Sequence, residues 1–101
     1  MTMLAKRLYK GTLGTGSITL YTVPIGVNAI VKNIVITNKA DIPTTITLIV
    51  GGTEIIYQHM VPSKATIMID NTLVINSSEN ITAIAGSASA INIYVTGIEV
   101  K

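Results

Sequence analysis

Thr44-Thr45-Ile46-Thr47-Leu48-Ile49-Val50-Gly51-Gly52-Thr53-Glu54-Ile55-Ile56-Tyr57-Gln58-His59 reads as two strands and the turn that joins them. The paired glycines accept the positive φ of a type I′ turn, whose twist matches that of a hairpin. A two-residue connector fixes the register expected on either side of it. Leu48 then faces Ile55 and Ile46 faces Tyr57 on one surface, while Ile49 faces Glu54 and Thr45 faces Gln58 on the other. One surface is wholly apolar, as a hairpin half buried against a core requires.

The same grammar extends outward in both directions. Period-2 alternation bounded by turn residues predicts strands over residues 17–23, 29–37, 65–69, 72–75, 81–85 and 90–100. Val23-Pro24-Ile25-Gly26 has the residues of a β-turn. Asn38-Lys39-Ala40-Asp41-Ile42-Pro43 closes the second strand, Asp70-Asn71 interrupts the run from residue 65 to 75, and Gly86-Ser87-Ala88-Ser89 reads as a flexible turn. About eight strands with no helix between them predict an all-β chain folded as a single antiparallel β-sandwich, jelly-roll-like, with an immunoglobulin-like arrangement as the alternative. Residues 16–101 form this domain and residues 1–15 an N-terminal arm that precedes it.

Composition agrees and adds a second expectation. Forty-one of the 101 residues are Ile, Val or Thr, and Phe, Trp and Cys are absent. β-branched side chains suit a pleated surface. Hydrophobic residues make up 49% of the chain and charged ones only 12%, about half the quarter usual in a soluble domain, so a small monomer would lack the charge to cover its surface. Several strands are apolar on both faces: Ile30, Ile34 and Ile36 alternate with Val31 and Val35, and Ile67 and Ile69 alternate with Met68. A sandwich sheet in water shows one polar face, so a subunit interface is expected, with Val31, Val35, Met68 and Val74 in it. Lys6, Arg7 and Lys10 in the arm are expected to help dock a partner.

Residues for chemistry are sparse. His59 is the lone histidine, and Asp41, Glu54, Asp70, Glu79 and Glu99 are scattered over turns and strands. No serine lies in a Gly-x-Ser-x-Gly elbow, no His and Cys set suits a metal, and the oxygen-rich loops at Asp70-Asn71 and residues 76–80 lack EF-hand spacing. Gly11-x-x-Gly14-x-Gly16 lacks the lysine of a phosphate loop and reads as a mobile lead-in. The expectation is therefore no enzyme, no catalytic residue, no cofactor and no metal. Outside the first ten residues the chain carries four basic and five acidic side chains, which gives no basic stripe for nucleic acid. No apolar run is long enough for a membrane helix. The charges at the start follow a very short apolar stretch, the wrong order for a secretory signal, so synthesis in a cytoplasm is expected. A sugar-binding module would have to stack its ligand on Tyr9, Tyr21, Tyr57 or Tyr94, with no tryptophan to help.

Tyr21-Thr22-Val23-Pro24-Ile25-Gly26-Val27-Asn28-Ala29-Ile30-Val31-Lys32-Asn33-Ile34-Val35-Ile36-Thr37-Asn38 resembles the opening of small tailed-bacteriophage virion proteins. Val61-Pro62-Ser63, Asp70-Asn71-Thr72-Leu73-Val74-Ile75, Glu79-Asn80-Ile81 and Val95-Thr96-Gly97-Ile98-Glu99-Val100 look like the second half of the same pattern. Ser63-Lys64 and Ser77-Ser78 stand where that pattern has glycine, which points to turns of a different type. The resemblance implies a virion structural protein, made in the host cytoplasm and carried on the particle. The expected role is a capsid decoration or auxiliary subunit that forms homo-oligomers, a trimer being one form, and contacts the major capsid or other virion proteins. A tail, neck or baseplate component, or a receptor- or carbohydrate-binding module, is the alternative.

Overall fold

The computed structural model describes residues 2–70 and 72–101. Met1, in the expected arm, and Asn71, in the expected break after residue 69, lie outside the described residues. Among the described residues nine strands follow one another: β1 (Met3–Thr12), β2 (Ile18–Thr22), β3 (Asn28–Asn38), β4 (Thr44–Val50), β5 (Thr53–Val61), β6 (Thr66–Ile69), β7 (Leu73–Ile75), β8 (Asn80–Ala85) and β9 (Ile91–Val100). They form two antiparallel sheets. Sheet A has the order β1-β9-β3-β6, with β7 also on β3, and sheet B the order β2-β8-β4-β5. Because β6 and β7 both pair with β3, they act as one interrupted strand, which reduces the count to the eight of two Greek keys. This is a jelly-roll sandwich; the four-plus-three sheets of a constant immunoglobulin domain do not have this order.

Ile and Val fill the space between the sheets without any large aromatic. Ala29, Val31, Ile34, Ile36, Ile91, Ile93 and Val95 come from sheet A, and Leu20, Ile46, Leu48, Val61, Ile81, Ala83 and Ala85 from sheet B. Asn38 is the polar pin of one end. Its buried amide donates to the carbonyls of Ile42 (2.9 Å) and Val61 (3.1 Å), and its side-chain oxygen accepts from the Ala40 N–H (2.9 Å). The small-residue turn after β8 is tied down as well, with Gly86 N–H donating to Thr45 O (2.8 Å) and Ser89 N–H to Leu13 O (3.2 Å).

Four expectations change. Residues 3–12 are not an arm: they are β1, paired with β9 along its length, and Leu8 and Leu13 enter the core. The glycine-spaced lead-in accordingly begins inside a strand, with Gly11 opposite Ile93. The hairpin keeps its expected pairing next to the turn, Ile49 with Glu54 and Val50 with Thr53, but bulges then shift it, so Leu48 faces Ile56 and Ile46 faces His59. A bulge adds one residue to one strand and thereby exchanges its faces.

The fourth change concerns β3. Its register against β9 slips between Val31 and Asn33, so Val31 and Ala29 point inward before the slip while Ile34 and Ile36 point inward after it. Val31 is therefore core and unavailable to any partner. The cause sits across the ladder at Gly97, where an added Cβ would collide with the Ile30 carbonyl and come within 3.1 Å of Leu8. The backbones approach here because no side chain stands between them.

Candidate interaction surfaces

Alternation along β9 fixes the two faces of sheet A. Ile91, Ile93, Val95, Gly97 and Glu99 point inward, and Asn92, Tyr94, Thr96, Ile98 and Val100 outward. Pairing then aligns the outward residues in rows that cross the sheet. One row runs Lys10, Tyr94, Val35, Met68, and another Ala5, Ile98, Ile30, Val74. Between them lies Arg7, Thr96, Asn33, and beyond the first lies a polar row in which Thr12 Oγ1 donates to Asn92 (2.7 Å) and Thr37 meets Thr66 (3.1 Å). Met68 is 71% and Val74 65% exposed. Among the expected interface residues, Val35, Met68, Val74, Arg7 and Lys10 thus share one face, whereas Val31 and Lys6 do not.

Lys6 pairs with Gly97 on the inward side and takes part in a cluster the sequence reading did not anticipate. Glu99, nearly buried, accepts a hydrogen bond from the Tyr21 hydroxyl of sheet B and another from Lys6 Nζ at 3.2 Å. The Tyr21 bond, helped by Lys6, holds the Glu99 carboxyl below its ordinary range, although burial alone would raise it. Burial first, and then the Glu99 anion, pushes the Tyr21 phenol well above its ordinary value. An ionised carboxylate and a neutral phenol held in these states form a lock between the sheets rather than an acid and base poised for transfer. The signal was present in the sequence: Ile91, Ile93 and Val95 alternate inward, and two more steps reach Gly97 and Glu99.

The opposite side of the sandwich is open. A groove of about 450 Å³ runs between β5 and β6, lined by Ile55, Ile56, Tyr57, His59, Ile67, Met68 and Ile69. It contains the sole histidine, and no carboxylate lines it. A second depression of about 350 Å³ on the outer face of sheet B holds Glu54, Tyr57 and Gln58 among threonines and aliphatics. Among the described residues no group of three His, Cys, Asp or Glu side chains converges. Glu79, in one of the loops considered for calcium, uses its carboxylate to accept from the Asn76 N–H (2.8 Å).

No family model matches the sequence, and no curated protein matches it. Solved structures do share its shape. A protein of the Bacillus endospore appendages, which form disulfide-linked pili, is similar at 14% identity and a TM-score of 0.55, over 97% of this chain and 87% of that one. The Drosophila NLP core, studied for pentamer formation and histone binding, is similar at 14% identity and a TM-score of 0.55 over the whole of both chains. The virus-like particle of the prawn Macrobrachium rosenbergii extra small virus follows at 10% identity and 0.49, over 98% of this chain and 79% of that one. The first two likenesses establish the sandwich fold and nothing about partners; the disulfide linkage of the pili has no counterpart in a chain without cysteine.

Proposed function

We propose that this protein is a non-enzymatic structural subunit that associates with itself and with a larger particle through the outer face of sheet A. The observation that carries the reading is the pair of largely apolar rows on that face, with Met68 and Val74 left in water by a chain that has few charges to cover its surface. Buried interface cores are depleted of charge in the same way. The pattern of residues shared with tailed-phage virion proteins supports the finer version, a capsid decoration or auxiliary subunit in contact with capsid protein. A receptor- or glycan-binding role at a tail tip draws on one observation, exposed Tyr57 beside the open groove.

Light scattering across a concentration series tests self-association. The chain is expected to leave the monomer at roughly micromolar concentration, and Met68→Lys to weaken association at least about tenfold. A wild-type chain that stays monomeric throughout refutes the self-association. Imaging of particles assembled with the protein is expected to show it repeated over the capsid surface; density confined to a tail tip would replace the decoration role with the receptor-binding one.

A further inference from the structure

The outer face of sheet A carries charge at its two edges and apolar side chains in its middle. Arg7 lies on β1 at one edge, opposite Thr96, which in turn is opposite Asn33. At the other edge exposed Asp70 directly follows Ile69, the last residue of β6 and the partner of Ile34, and one further step of the same alternation places it on the outward side level with Asn33. Arg7 and Asp70 thus stand in one row, separated by three strand spacings, about 14 Å, too far to pair within the chain. Neither has an ion-pair partner among the described residues.

We propose that two copies of this chain pack sheet A against sheet A about a two-fold axis parallel to the strands. This rests on the structural-subunit reading and names its partner. Such an axis exchanges the edges while keeping each row over itself. Arg7 of each copy then lies over the partner's Asp70, and Tyr94 over the partner's Val35. Lys32, whose Nζ reaches Thr72 at 3.4 Å, falls over the partner's Thr96 rather than over another cation. A two-fold contact has to be self-complementary in this manner. The size also fits: four strands at about 4.8 Å by a ten-residue strand of about 33 Å give about 630 Å² per copy. The total, about 1,300 Å², stands at the lower end of specific interfaces, and a dimer of about micromolar strength is expected.

Charge exchange between copies tests the geometry. Arg7→Asp alone and Asp70→Arg alone are each expected to weaken the dimer about tenfold or more, because both salt contacts become like-charged. Mixed in equal amounts, the two variants should form a heterodimer near wild-type strength, since each acidic face then meets a basic one. Sedimentation velocity with one variant labelled reads this directly, and recovery on mixing shows that both variants are folded. A mixture that associates no better than either variant overturns the proposal. A wild-type trimer overturns the two-fold but leaves the subunit reading standing, whereas a wild-type monomer at every concentration removes both.

Discussion

Along one side of the sandwich β1 and β2 meet through Leu8, Tyr9, Tyr21 and Glu99, whereas along the other β5 and β6 stand apart over an apolar groove. Both sides end the hydrogen-bonded sheets, and both must deal with free strand edges. The closed side does so with a polar lock and with Leu8 of β1 packed closely over Gly97. Bulges occur on both sides, in β1 between Arg7 and Tyr9 and in β2 between Thr19 and Tyr21 as well as in β5. The open side adds left-handed residues, Gln58 within β5 at φ 47° and Lys64 in the following turn at φ 58°, and leaves Ile55, Tyr57 and Met68 in water. The closed side is thus tied from sheet to sheet, whereas the open side leaves its groove uncovered.

The contrast is broken most severely at Gly97. A methyl group there meets the Ile30 carbonyl, which belongs to the central strand and cannot swing aside, so Gly97→Ala is expected to cost about 3 kcal/mol. Exposed Tyr57→Ala on the open side should cost less than about 0.5 kcal/mol. Urea unfolding of the two variants measures the difference. Equal losses would mean that the two sides contribute alike.

The lock itself supplies the next test, with an effect of about 2 kcal/mol for Glu99→Gln, which keeps the shape and removes the charged acceptor. Its pH dependence has two arms. Glu99 has a depressed carboxyl pKa, so its contribution is complete above the ordinary value of about 4.3 and is lost as pH falls through the lower folded value. Tyr21 has a raised phenol pKa, so its contribution is complete below about pH 10 and falls away as pH rises further, where the unfolded phenol ionises first. Unfolding midpoints measured across pH should lose their acid limb in Glu99→Gln and their alkaline limb in Tyr21→Phe. An acid limb of full size in Glu99→Gln would mean that another carboxylate carries it.

How much of this was legible in the sequence varies with what each feature depends on. Strand positions follow from local alternation, and the break between β6 and β7 was visible between residues 69 and 72. The Gly51-Gly52 turn set the pairing of Ile49 with Glu54 because both residues lie within reach of the turn. Facing could not be carried further, because bulges arise from the partner strand: Val31 turned inward on account of Gly97, 66 positions away in the chain. The interface residues beyond that bulge, Val35 and Met68, kept their outward side. The Tyr21–Glu99–Lys6 lock joins three distant strands, and only the topology brings them together, although the inward position of Glu99 could have been counted along β9.

The smallest effect, and the one of opposite sign, concerns the turn between β5 and β6. The resemblance led us to expect different turns at Ser63-Lys64 and Ser77-Ser78, where glycine is missing, yet Lys64 and Ser78 adopt φ of 58° and 71°, the left-handed conformation that glycine would take without penalty. For an L-residue this costs about 1 to 2 kcal/mol, part of which glycine gives back through its freer unfolded chain. Lys64→Gly should then stabilise the protein by about 0.5 kcal/mol and raise Tm by about 3 °C. The substitution also removes the exposed ion pair of Lys64 with Asp41, 3.2 Å apart and worth little at such a surface. Lys64→Ala removes the same pair while keeping a Cβ, so the difference between the two variants isolates the backbone. Lys64→Gly should be the more stable by about 1 kcal/mol; if the two melt together, the open side stores no backbone strain at this turn and its openness rests on the bulge at Gln58 alone.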